Sequence, residues 1–166
     1  RVNTGWKEAL SEAKRQGILF IPAIELNTLS GHLIGLGLTS YIPSWLPIEE
    51  TVEKIHQQGG LAVAVHPFDI KGDGTRKDCF KADAIEVFNS LNLDRFSNGI
   101  IKRKLNGIEK PKVVGSDAHT LDQIGNAVNI IDADSLAGIL KKIKKGSVSH
   151  RTSYTPTLSI KRWTPL

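Results

Sequence analysis

Methionine is absent from all 166 residues, and the first residue is Arg1. The N-terminus therefore reads as a cut edge, with part of the protein expected upstream of it. Cysteine is nearly absent too. Cys79 stands alone, which excludes an internal disulfide framework and suits a reducing, cytoplasmic compartment. A lone cysteine is more often a small buried hydrophobe than a nucleophile. No apolar run approaches the roughly 20 residues that span a bilayer, so a membrane is not expected as a partner. Residues 1–17 form a polar, helix-like stretch without the apolar core and cleavage site of a signal peptide. Fixed-period repeats, low-complexity tracts and internal linkers are also missing, and the expectation is a single domain over 1–166.

What is present is ordinary in bulk: 40% apolar and 23% charged residues, enough for a real core and without the signature of disorder. The net charge of +5 favours anionic partners, whether nucleic acid, nucleotides or other phosphates. Its distribution weakens that inference. Much of the excess sits in Lys141, Lys142, Lys144 and Lys145 and in Arg151, Lys161 and Arg162, and lysines at a helix end are usually a solvated face that complements the dipole.

Along the chain, strand-like and helix-like segments alternate. Residues 4–16 carry Trp6, Ala9, Leu10 and Ala13 on one helical face before the stop at Gly17. Short apolar runs follow at 18–24 and 32–38. Pro47 with Glu49 and Glu50 opens a helix that Gly59 and Gly60 close. Strands are expected at 61–65, 84–88, 112–115 and 127–131, and helices at 98–105 and 135–145, the last begun by Asp132 or Asp134. Residues 69–78 form a glycine-rich polar loop, and 147–150 suit an edge strand. Apolar strands separated by helices imply a parallel sheet covered on both faces, as an open doubly wound sheet or as a β/α barrel.

The chemistry gathers at one kind of place. Glu25 and His66 end apolar runs, Asp117 and His119 follow a strand directly, and His32 opens one. In parallel α/β folds the C-terminal strand ends build the active site. Two carboxylates and three imidazoles there are a ligand set for zinc, manganese or iron. Each residue alone has a plainer reading: His32 as a turn residue beside Gly31, His66 as a strand end held by a backbone hydrogen bond, Glu25 or Asp117 as caps of the following turns. The five together are far less easily accidental. His56, mid-helix among polar residues, and His150, near the tail, are placed outside the set.

These segments also match successive motifs of a known family. Ile21-Pro22-Ala23-Ile24-Glu25, Gly31-His32-Leu33-Ile34-Gly35-Leu36, Ala64-Val65-His66-Pro67-Phe68 and Gly115-Ser116-Asp117-Ala118-His119, then Gln123-Ile124-Gly125, resemble the PHP (polymerase and histidinol phosphatase) family in order and spacing, over about Trp6 to Lys145. The resemblance implies an α/β fold, a distorted (β/α)7-type, TIM-like barrel, with two or three divalent metal ions (manganese, zinc or iron) in its C-terminal mouth. It implies that Glu25, His32, His66, Asp117 and His119 are metal ligands, with Asp117 and His119 also serving catalysis. The implied activity is a hydrolase's: a metal-activated water attacks a phosphate ester. The family's opening His-x-His and Asp-His motifs have no counterpart in this sequence, so the first strands of the barrel are expected to be missing from it.

For substrate, the basic residues Lys71, Arg76 and Lys77 of the loop after His66 could meet a phosphate, though a solvated loop is the plainer reading. A phosphorylated small molecule, a nucleotide or an oligonucleotide end all suit a barrel of this size. The competing reading is a non-catalytic barrel acting as a subunit of an RNA–protein complex, which the basic charge and the missing motifs favour and the retained five residues oppose.

Overall fold

The computed structural model describes residues 2–92 and 94–156; Arg1 and the basic tail residues Lys161 and Arg162 lie outside the described residues. The chain opens with helix α1 (Val2–Arg15), whose Lys14 and Arg15 lie in the last turn, where cations complement the helix dipole. Then come β1 (Ala23–Thr28), β2 (Gly31–Leu36), α2 (Ile48–Gln57), β3 (Leu61–Ala64), a 3₁₀ turn at Arg76–Lys81, β4 (Ala84–Asn89), α3 (Ser97–Lys104), β5 (Lys112–Gly115), a second 3₁₀ turn at Leu121–Gln123, β6 (Ala127–Ile130), α4 (Leu136–Lys144) and β7 (Ser149–Thr152). The α4 cap is the Ser135 hydroxyl, which accepts from Gly138 N at 3.3 Å, in place of the expected Asp132 or Asp134. Among the described residues no helix is long and apolar enough to cross a membrane.

Five strands form one sheet in the order β1-β2-β3-β4-β5. The fold is mixed α/β: β3, β4 and β5 run parallel to one another, whereas β1–β2 and β2–β3 are antiparallel. This corrects the wholly parallel sheet inferred from the alternation of elements. The cause is local: Leu29 and Ser30 alone separate β1 from β2, and a two-residue link makes a hairpin, whereas a parallel crossover needs a dozen residues or more.

Nor does the sheet close into the expected (β/α)7 barrel among the described residues. β6 and β7 form a separate antiparallel pair that docks on the β5 edge through side chains. The Asn129 amide accepts from Val114 N at 3.0 Å and donates to Val114 O at 2.8 Å, and His150 Nε2 lies 3.1 Å from Lys112 O. Asn129 thus occupies the backbone groups through which a further strand would pair, and the ladder stops at β5.

Side-chain alternation divides the core into two layers. On one face Leu26, Leu33, Ala62, Ala64 and Ile85 pack against Ile48, Val52 and Ile55 of α2 and Ile101 of α3. On the other, Leu61, Val63, Ala84 and Val113 pack against Ile143, with Ile139 and Leu140, of α4. β3 and β4 are buried along their whole length, as strands covered on both faces should be.

Candidate metal centre

Glu25, His32, His66, Asp117 and His119 all line one cavity of about 200 Å³. The elements deliver them in two ways. Glu25 and His32 project from the hairpin, with Glu25 opposite Ile34 and His32 opposite Asn27. Opposed residues of an antiparallel pair share a face, so both side chains leave the sheet on one side. Glu25 therefore acts from mid-strand, not from a strand end. His66 and Asp117 each stand two residues beyond a parallel strand, β3 and β5 respectively. Both have positive φ, 30° at His66 and 51° at Asp117. Non-glycine residues adopt such backbone only where the surroundings compel it, and they cluster at functional sites.

Glu25 is the hub. Its Oε1 lies 3.0 Å from His32 Nδ1 and 3.2 Å from His66 Nε2, and the two rings meet edge to face with centroids 5.4 Å apart. One donor atom from each of the three residues fits within a 4.8 Å span. The hydrogen bond from His66 leads in holding the Glu25 carboxyl below its ordinary range, against the opposing effect of partial burial. At His66 burial disfavours the charged ring, but the bond to Glu25 and the charges of Glu86, Asp117 and Glu25 together raise it to about 9. The pocket is thus built to attract positive charge.

Asp117 Oδ2 accepts from Asn89 Nδ2 at 3.3 Å, and its Oδ1 lies 3.8 Å from His119 Nδ1. The nearby 3₁₀ turn has Thr120 at its N-cap position, with no side-chain cap bond, so Asp117 is not the cap that its position suggests. His119 is held by its backbone, whose N–H donates to the buried Gln123 Oε1 at 2.7 Å. The loop after His66 covers the hairpin: Asp73 O accepts from His32 N at 2.7 Å. Gly31 is required there, since at its φ of 127° a Cβ would sit 2.6 Å from Asp73 O. Asp69 Oδ1, buried, braces this loop by accepting from Gly74 N at 3.0 Å.

The chemistry of the donor set fits a divalent metal. A carboxylate oxygen and two imidazole nitrogens, from Glu25, His32 and His66, lie within one coordination span, the mixed oxygen and nitrogen set that such ions take.

Lys71 lines the cavity, as does Asp94 at the foot of α3, whereas Arg76 does not. The Arg76 N–H donates to Pro67 O at 2.8 Å, and the 3₁₀ turn that it opens carries Cys79 into the α2-side core, away from the cavity. His56 lies outside as well, 2.7 Å from Asp83 Oδ2. Sequence reading missed Glu86, a carboxylate amid the apolar run of β4. It is 5% exposed, and burial pushes it up to about 7, against the lowering effect of the His66 amide and ring charge. A lone acid inside an apolar strand was the signal available.

Residues 97–148 match the family described as PHP-associated, PHP_C. One uncharacterized protein of Methanocaldococcus jannaschii is 39% identical over 103 residues, which make up 61% of this chain and 60% of that protein. A second from the same organism is 32% identical over 116 residues, 64% of this chain and 49% of that protein. The chain thus spans about half to three-fifths of the curated relatives that it matches. Among solved structures it resembles a two-domain Bacteroides vulgatus protein containing a predicted PHP-like metal-dependent phosphoesterase, with TM-score 0.70, 17% identity, and coverage of 90% of this chain and 49% of that one. It also resembles PsfC of Pseudomonas syringae, with TM-score 0.61, 20% identity, and coverage of 83% and 61%.

Proposed function

We propose that the chain is a PHP-type metal-dependent phosphoesterase, a hydrolase acting on a phosphomonoester, a nucleotide or an oligonucleotide end, a reading supported by the PHP-associated match over residues 97–148 and by the likeness in fold to a PHP-like protein. The observation that carries this reading is the convergence of Glu25, His32, His66, Asp117 and His119 on one cavity, with donor atoms of the first three within 4.8 Å of one another. These five would hold two or three divalent ions of manganese, zinc or iron, whose carboxylate and imidazole preferences the set meets. Bound there, the metal would supply an acidified water and polarise the phosphoryl oxygens. Glu25, with one oxygen already beside two imidazoles, would bring a negative charge to the same centre. Asp117 brings a second negative charge, and the Asn89 amide orients it. Lys71, at the cavity wall, offers the cation that an anionic ester needs on approach. Ile70 and Leu91 give the same wall an apolar side that would exclude water behind the ester.

The test is hydrolysis of p-nitrophenyl phosphate and of nucleoside monophosphates by the full-length protein loaded with Mn²⁺, Zn²⁺ or Fe²⁺. Activity should vanish on chelation and return with metal. Asp117→Ala should lower turnover far more than folding stability, because the residue lies at a cavity rim and not in the core. Undiminished turnover in Asp117→Ala would refute the mechanism. A metal-loaded parent that cleaves neither of these esters nor a short oligonucleotide would remove the phosphoesterase reading altogether.

A further inference from the structure

Glu86 is the least expected charge in the protein. It sits in β4 between Ile85 and Val87 and is 5% exposed. A carboxylate buried among apolar side chains costs several kcal/mol unless donors satisfy it. Two donors do. His66 N–H donates to Glu86 Oε2 at 2.6 Å, and Asn89 Nδ2 donates to the same oxygen at 3.3 Å. The Asn89 amide also donates to Asp117 Oδ2 at 3.3 Å, so one chain of bonds runs from the His66 backbone through Glu86 and Asn89 to the Asp117 carboxylate. That chain ties together the C-terminal ends of β3, β4 and β5.

The surroundings are arranged to keep this chain in place. Asn89 is 1% exposed and its backbone is clamped by Asn98, which accepts from Asn89 N and donates to Asn89 O, each at 2.9 Å. Asn89 Oδ1 accepts from Leu91 N at 2.9 Å, which fixes the amide orientation and aims its NH₂ at the two carboxylates. Opposite, a Cβ on Gly115 would collide with Glu86 Oε1; β5 ends in glycine where the carboxylate needs the space. Neither Glu86 nor Asn89 lines the cavity. Yet each holds a residue whose backbone adopts positive φ, a conformation that persists only where its neighbours enforce it.

The geometry points to Glu86 and Asn89 as a positioning pair for the metal centre, Glu86 fixing His66 through its backbone N–H and Asn89 fixing the Asp117 carboxylate. This rests on the metal-binding reading of the same cavity. Partners behind metal ligands typically govern metal affinity by about 10- to 100-fold, which a merely structural network would not do.

The experiment compares Mn²⁺ affinity by isothermal titration calorimetry, and the visible spectrum of the Co²⁺-loaded protein, in the parent, Glu86→Gln, Asn89→Ser and Asp83→Asn. The last is the control. Asp83 Oδ2 accepts from Ala62 N at 2.8 Å and meets His56 at 2.7 Å, outside the cavity lining. Thermal unfolding of the metal-free proteins is followed in parallel. Glu86→Gln and Asn89→Ser should bind Mn²⁺ about 10- to 100-fold more weakly and alter the Co²⁺ spectrum, with Asp83→Asn losing stability but keeping parental affinity. Changes below about fivefold in both variants would overturn the pair while leaving the metal centre intact. Equal weakening in Asp83→Asn would assign the effect to fold stability and overturn it as well. If one variant does not fold, the other decides; failure of both shows a structural network and overturns the proposal. A parent that binds no Mn²⁺, Zn²⁺ or Fe²⁺ would instead remove the centre itself.

Discussion

The hairpin β1–β2 and the parallel strands β3–β5 both reach the same cavity, but Glu25 and His66, the two residues that meet there, are buried to very different degrees. His66, 11% exposed at its side chain, projects from a strand end that is buried on both faces, and Glu86 grips its amide. Glu25 is 43% exposed at its side chain and lies on β1, the edge of the sheet. Its position depends on two imidazoles and on the strand's alternation. The difference teaches how a site is assembled: the parallel half sets a buried wall, and the hairpin brings up a carboxylate that stays open to solvent.

The largest effect should come from the wall. Ile85, fully buried at the centre of the sheet, should cost about 2–5 kcal/mol on truncation to Ala, measured by urea unfolding. Ile24→Ala in β1, only partly buried, should cost about 1–2 kcal/mol on the same assay, since less apolar surface returns to water. Equal costs would break the comparison.

Next comes the buried seam beneath the 3₁₀ turn. Burial pushes the Cys79 thiol up to about 11 from an ordinary 9.0. The folded state therefore holds this proton more tightly than the unfolded chain does. The sign follows: the contribution is intact below about pH 9 and is lost as pH rises towards 11, by roughly 2 kcal/mol. Parent and Cys79→Ala should diverge by that amount in chemical unfolding over this range, and iodoacetamide at pH 8 should leave the folded thiol unmodified. Rapid alkylation of the native protein would show the seam to be loose.

Asn129→Ala then tests the third strand group, the β6–β7 pair. It leaves Val114 N and O without their side-chain partners, and buried backbone groups left unpaired cost about 1–3 kcal/mol. Hydrogen exchange should quicken at Val114 while β3 stays protected. The smallest effect belongs to His56→Ala, at an exposed pair with Asp83, expected within about 1 kcal/mol of the parent and with unchanged Mn²⁺ affinity by calorimetry. A change in affinity there would extend the site beyond its cavity.

Much of this was legible in order along the chain. The helical segments, the strand at 112–115 and the cavity residues Glu25, His32, His66, Asp117 and His119 follow from apolar period, glycine and proline stops, and polar residues placed at run ends, all of which are local properties of a chain. Pairing is not local. Whether a strand runs parallel depends on the length of each connection and on which edge is free, so the hairpin β1–β2 was hidden inside two apolar runs, and the side-chain docking of β6–β7 on Asn129 had no signal at all. That Arg76 stands outside the cavity lining, its N–H bonded to Pro67 O, likewise belongs to the folded loop and not to the local sequence. Glu86 shows the limit most sharply. Its sequence records an acid in an apolar strand, but only the packed sheet determines that burial, two donors and the missing Cβ of Gly115 turn that acid into a support for His66 and Asp117.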